Sequence, residues 1–111
     1  MSIRMYICRT ETPAEVAQNP IPLDEWKELV KEIPQMNLYA GENSLPSFIE
    51  PPSPSEGLAR WSGHPMLRVV WFHYKDGLIY TDGFDAYVAT RMRAMAMRLG
   101  ARVIHESGSF F

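Results

Sequence analysis

The chain of 111 residues contains one cysteine, Cys8, so no intramolecular disulfide can form and no Cys-based zinc site can be assembled within one chain. Positive charge is not in excess: 11 Lys and Arg against 13 Asp and Glu give a formal net charge of -2. There is then no overall basic field to gather phosphates or an anionic membrane surface. No apolar run approaches membrane-spanning length, and Arg4 and Arg9 break the opening stretch too early for a signal peptide. Together these absences predict a cytoplasmic chain, with membrane binding excluded and nucleic-acid binding disfavoured. A nucleophile elbow, a Walker loop and a dinucleotide fingerprint are all missing. His64, His73 and His105 show neither HxH nor HExxH spacing. No metal or cofactor is expected.

Strong local signals run from Met66 to Glu106. They read as a strand (Leu67 to Tyr74), an Asp76-Gly77 turn, a strand (Leu78 to Asp82), a helix (Asp85 to Leu99) and a strand (Arg102 to His105). Asp-Gly between two β-rich runs marks a tight hairpin, because a type I′ turn needs positive φ at both central residues. Counting outward pairs Tyr74 with Ile79, His73 with Tyr80, Phe72 with Thr81 and Trp71 with Asp82. One face then carries Val70, Phe72, Tyr74, Ile79 and Thr81, which lacks charge and is expected to meet the core. Val69, Trp71, His73, Lys75, Leu78, Tyr80 and Asp82 occupy the other. The helix has an apolar stripe of Phe84, Val88, Met92, Met95, Ala96 and Leu99 beside a polar line with Arg91 and Arg98. Asp82 or Asp85 can cap its start, and Gly100 closes it. Among its methionines, Met97 alone lies off the stripe.

Upstream, Ile3 to Cys8 alternates as a strand, with Ile3, Met5 and Ile7 on the core side and Arg4, Tyr6 and Cys8 on the other. Pro13, Pro20 and Pro22 hold the next segment mainly extended, with a short helical turn available from Pro13 to Ala17. Trp26, Leu29, Val30 and Ile33 fall at helical spacing from Leu23 to Ile33, with Asp24 and Glu25 at the helix start and Pro34 ending it. From Gln35 to Pro65 the chain is rich in proline, and a structureless loop of that length is unusual in a compact domain. Short strands at Met36 to Ala40 and Leu58 to Trp61 would frame an exposed excursion around Pro46, Pro51, Pro52 and Pro54. Ser62-Gly63-His64-Pro65 reads as a turn. In the last strand Val103 points inward with Ala101 and His105, opposite Arg102, Ile104 and Glu106.

Strand, helix, strand, strand, helix, strand predicts a single α+β domain over residues 1–111: a ferredoxin-like βαββαβ antiparallel sheet with two helices on one face and an inserted Pro-rich segment. Two helices cannot cover both faces. The second would present Arg4, Tyr6, Cys8, Trp71, His73, Leu78 and Tyr80, and exposed aromatic patches mark interfaces. The candidate binding residues are Trp71, His73, Tyr80, Tyr6 and Arg4, facing a protein partner or a second copy of the chain, unless the segment 35–65 folds back over them. The strand order is shared with RNA-recognition folds, but no segment matches their aromatic and basic pattern. A second class of reading is a small-molecule-binding or thiol-based enzyme using a groove near Cys8 and His73. No catalytic residue is assigned, and a non-enzymatic protein-binding module is the first expectation.

Glu25-Trp26, Trp61, Trp71-Phe72-x-Tyr74-x-x-Gly77-x-Ile79 and Leu99-Gly100-Ala101-x-Val103 resemble a set of small uncharacterised bacterial proteins of unassigned function. The resemblance covers most of the chain. It implies an immunity-like or accessory role of the kind found beside toxin systems. The chain departs from that set at His105-Glu106-Ser107-Gly108-Ser109, where the others finish with an acidic turn.

Overall fold

A computed structural model describes residues 4–39, 55–66 and 69–107. The expected contributions of Ile3 and Leu67, the Pro-rich excursion with Pro46, Pro51, Pro52 and Pro54, and Phe110-Phe111 lie outside these residues. The architecture is α+β: strands β1 (Met5–Cys8), β2 (Met36–Leu38), β3 (Ala59–Trp61), β4 (Val70–Lys75), β5 (Leu78–Thr81) and β6 (Arg102–His105), with helices α1 (Leu23–Glu32) and α2 (Ala86–Arg98). Among the described residues six strands join one antiparallel sheet in the order β2-β3-β4-β5-β1-β6. No helix among the described residues is long and apolar enough to cross a membrane.

The β4–β5 hairpin turns at Asp76 and Gly77, with φ of 51° and 102°, and pairs Lys75 with Leu78, Tyr74 with Ile79 and His73 with Tyr80. That register sends Val70, Phe72 and Ile79 into the main core beside Met5 and Ile7 from β1 and Val103 from β6. The same core takes Trp26, Leu29 and Val30 from α1 and Val88, Met92, Met95 and Ala96 from α2, so both helices cover this face. Each helix is tied down by a polar contact. Trp26 Nε1 donates to the Gly57 carbonyl at 2.7 Å, fixing α1 to the approach to β3. Asp85 caps α2, its Oδ1 accepting from Val88 N–H at 2.9 Å.

Two expectations about the second face are corrected. The short helical turn available from Pro13 to Ala17 is formed, as a 3-10 helix over Pro13–Gln18, so the segment is less extended than expected. Its Val16 packs against Cys8, Leu78 and Ile104, which are buried in a second, smaller core. One end of the face expected to be open is therefore closed by the chain that follows β1. Proline explains it: Pro13 supplies the fixed φ of a helical first turn, while Pro20 and Pro22 return the chain to extended geometry before α1.

Ile21 N–H donates to the Gly77 carbonyl at 2.8 Å, seating that return on the hairpin turn. A Cβ on Gly77 would lie 2.4 Å from Pro20 Cβ and 2.9 Å from its Cα. Gly77→Val should thus combine a strained positive φ with a backbone clash and cost about 2 kcal/mol or more. At Gly100, where φ is +61° but no atom lies within 4 Å of the built Cβ, alanine should cost only about 1 kcal/mol. Urea denaturation of both variants checks the order; equal losses would mean that the Pro20 contact does not hold the turn.

Candidate functional site

Cross-strand partners share a sheet face, so Arg60 opposite Trp71, His73 opposite Tyr80 and Tyr80 opposite Tyr6 all lie on the side away from the helices. Alternation adds Arg4 on β1's approach. These side chains are partly exposed, and four of them, His73, Tyr80, Arg4 and Tyr6, form one cluster centred on the Tyr80 ring. The His73 imidazole lies on the Tyr80 ring at 4.7 Å with 7° between planes. Arg4 Cζ sits 4.4 Å from the same ring's centroid, and Tyr6 lies at 6.3 Å in a tilted contact. Tyr39 meets Trp71 edge-on at 5.0 Å.

Arg4 is aimed by a two-pronged bond to Asp82, Nε to Oδ1 at 2.9 Å and Nη2 to Oδ2 at 3.2 Å. With both partners near 40% exposed, that pair contributes little stability, and its effect is to hold the guanidinium flat on Tyr80. Trp71 Nε1 and the Tyr6 and Tyr80 hydroxyls make no hydrogen bond to the protein among the described residues. A hollow of about 330 Å³ opens at this stack, lined by Arg4, Tyr6, Pro13, Val16, Lys75 and Tyr80 among others. The surface thus presents apolar ring faces with polar tips at their edges.

Burial lowers the His73 pKa below the ordinary imidazole value, Arg4 lowers it further, and Asp82 opposes them. The shift favours the uncharged ring, which suits stacking.

Cys8 and His73 are not brought together. They stand on β1 and β4 with β5 between, a lateral separation of about 10 Å at two strand spacings. The thiol is fully buried, its Sγ donates to the Thr10 carbonyl at 3.8 Å, and burial pushes its pKa up. A nucleophilic thiolate needs the reverse.

One polar pair escaped the sequence reading. His64, expected only as part of a turn, is buried. Its Nε2 donates to Asp85 Oδ2 at 2.7 Å, while its Nδ1 accepts from Met66 N–H at 3.0 Å. Trp61 and Tyr87 meet the ring edge-on at 5.9 and 5.2 Å. With both nitrogens engaged, the imidazole joins the β3–β4 connection to the start of α2 and has no free nitrogen for proton transfer. A helix-capping Asp was legible at position 85; its pairing with a histidine 21 residues away carried no periodic signal. Among the described residues no group of three or more His, Cys, Asp or Glu side chains could hold a metal ion.

Asp85→Ala removes the cap and strands a buried imidazole, and should cost about 2–3 kcal/mol, measured by denaturant unfolding. His73 sets a pH dependence. Because its folded pKa is depressed from 6.5, the unfolded chain takes up the proton first, so stability is full above that value and falls as pH drops through the folded pKa. His73→Phe should lose less stability than the parent between pH 7 and the folded pKa, and a His73 NMR titration midpoint at or above 6.5 would contradict the burial assignment.

No protein-family model, curated protein or solved structure matches the chain.

Proposed function

We propose that the chain is a non-enzymatic protein-binding module, an immunity-like or accessory protein of the bacterial cytoplasm, that docks through the stacked sheet face. Trp71, His73 and Tyr80 form the centre of the contact, with Arg4 and Tyr6 beside them. The frame in this reading is ferredoxin-like, extended at one edge by the β2–β3 hairpin. It is supported by the neighbour order β4-β5-β1-β6 and by two helices packed on one face, the arrangement of a split βαβ pair.

The observation that carries the reading is the aromatic stack itself, half-exposed on the face the helices leave free. Tyr, Trp and Arg are the types that dominate interface energy, and here they are pre-ordered by Asp82 and by one another, which lowers the entropy lost on association. His73 in its uncharged form adds no charge to be desolvated. The buried Cys8 and its separation from His73 weigh against a thiol enzyme.

Replacing Trp71, His73 and Tyr80 together by Ser tests this. Circular dichroism should keep its shape and unfolding should stay cooperative, while sedimentation of the pure chain loses any self-association and crosslinking in the native host loses the partner captured by the parent. Met97→Ser on α2 serves as the control that retains capture. Capture unchanged in the triple variant, or a triple variant that fails to fold, would sink the assignment of these rings to a contact surface.

A further inference from the structure

The helix layer holds a groove of about 400 Å³ between α1 and α2, on the opposite side of the sheet from the aromatic stack. Leu29, Ile33 and Pro34 form one wall; Ala94, Met95 and Met97 form the other. Two arginines reach it. Arg98 is neutralised by an ion pair with Glu32, but Arg91 has no acidic partner among the described residues. Its Cζ lies 5.4 Å from the Trp61 ring centroid, and its Nε is buried without an acceptor.

A ring beneath a guanidinium satisfies its face and leaves its N–H edge unbonded. Arg91 is itself one of the residues lining the groove, which brings its guanidinium edge to a group seated there. A half-buried cation with no counter-charge is costly, and an anion seated against it relieves the cost. Apart from the Glu32–Arg98 pair, the rest of the lining is hydrocarbon. Met97, 83% exposed, stands at the rim with an unbranched, adaptable side chain suited to closing over an aliphatic body. From charge complementarity and this lining we infer that the groove binds an amphipathic monocarboxylate, an apolar chain or ring whose single anionic head meets Arg91. Among the described residues one cation without an acidic partner matches one negative charge, and Glu32 in the same lining disfavours a second, which sets a carboxylate above a phosphate dianion. The volume lies within the range of small-ligand sites, at its lower end.

Octanoate is the probe, with 1-octanol, octylamine and inorganic phosphate as comparisons, followed by NMR at the Trp61 indole N–H and the Met97 methyl. Saturable shifts at both are expected with octanoate, with octanol and octylamine at least about tenfold weaker and phosphate giving none. Arg91→Met keeps an apolar stem on Trp61 while deleting the charge, and should weaken octanoate by a similar factor. Octanol binding as well as octanoate, no saturation by millimolar octanoate, or shifts that map instead to Arg4, Tyr6 and Tyr80 would overturn the inference; so would a dimer whose contacts fill the groove. The ligand comparison on the unaltered protein decides the matter even if Arg91→Met does not fold. The triple variant of the aromatic stack should bind octanoate normally, so this site stands or falls separately from the protein-binding reading.

Discussion

Strand register is the constraint on which the molecule depends, and it is set at one place. Asp76 and Gly77 turn the chain with positive φ at both positions, and the Gly77 carbonyl receives Ile21 N–H while Pro20 packs where a side chain would otherwise be. A slip of one residue would exchange the faces of β4, placing Trp71 and His73 beneath the helices and Phe72 in solvent. The contact of the turn with Pro20 and Ile21 also positions the start of α1. A single glycine thus couples the hairpin to the element that covers it.

With register fixed, the two sheet faces acquire different physics. The helix-covered face is hydrocarbon from Met5 to Val103 and is sealed by Trp26 and Met95. Behind it, polar groups serve as ties: Trp26 to the Gly57 carbonyl, His64 to the Asp85 cap. The other face is divided. The 3-10 helix closes the end around Cys8, Leu78 and Ile104, and the remaining area, only half-buried, keeps Arg4, Tyr6 and His73 gathered on Tyr80, with Trp71 against Tyr39. Stacking on neighbours shields the rings partly, and association with another surface would complete their burial.

Electrostatics separates the two candidate sites as clearly as position does. On the sheet face the arginine that lies on the stack, Arg4, is met by Asp82, and burial shifts His73 towards its uncharged form. Across the molecule, α2 carries Arg91, Arg93 and Arg98 and no acid, and Glu32 answers Arg98 alone in the groove. The first surface is suited to desolvation over a broad area, and the second to one anionic group.

Local patterns in the sequence determined the elements: a period of two in β1, β4 and β5, helical spacing of apolar residues in α1 and α2, Asp85 and Gly100 at the ends of α2, and Asp-Gly at the turn. From the turn, simple counting placed Trp71, His73 and Tyr80 on one face. These features are legible because each is decided by backbone sterics and by neighbours within a few residues. Tertiary structure alone decided what covers what. That Val16 would bury Cys8 and Ile104, that His64 would reach Asp85, that Cys8 and His73 would stand two strands apart, and that Arg91 would lie on Trp61 all depend on contacts between segments distant in sequence. Such contacts leave no periodic trace, because they are fixed by the packing of whole layers and not by the conformational preferences of the residues that make them.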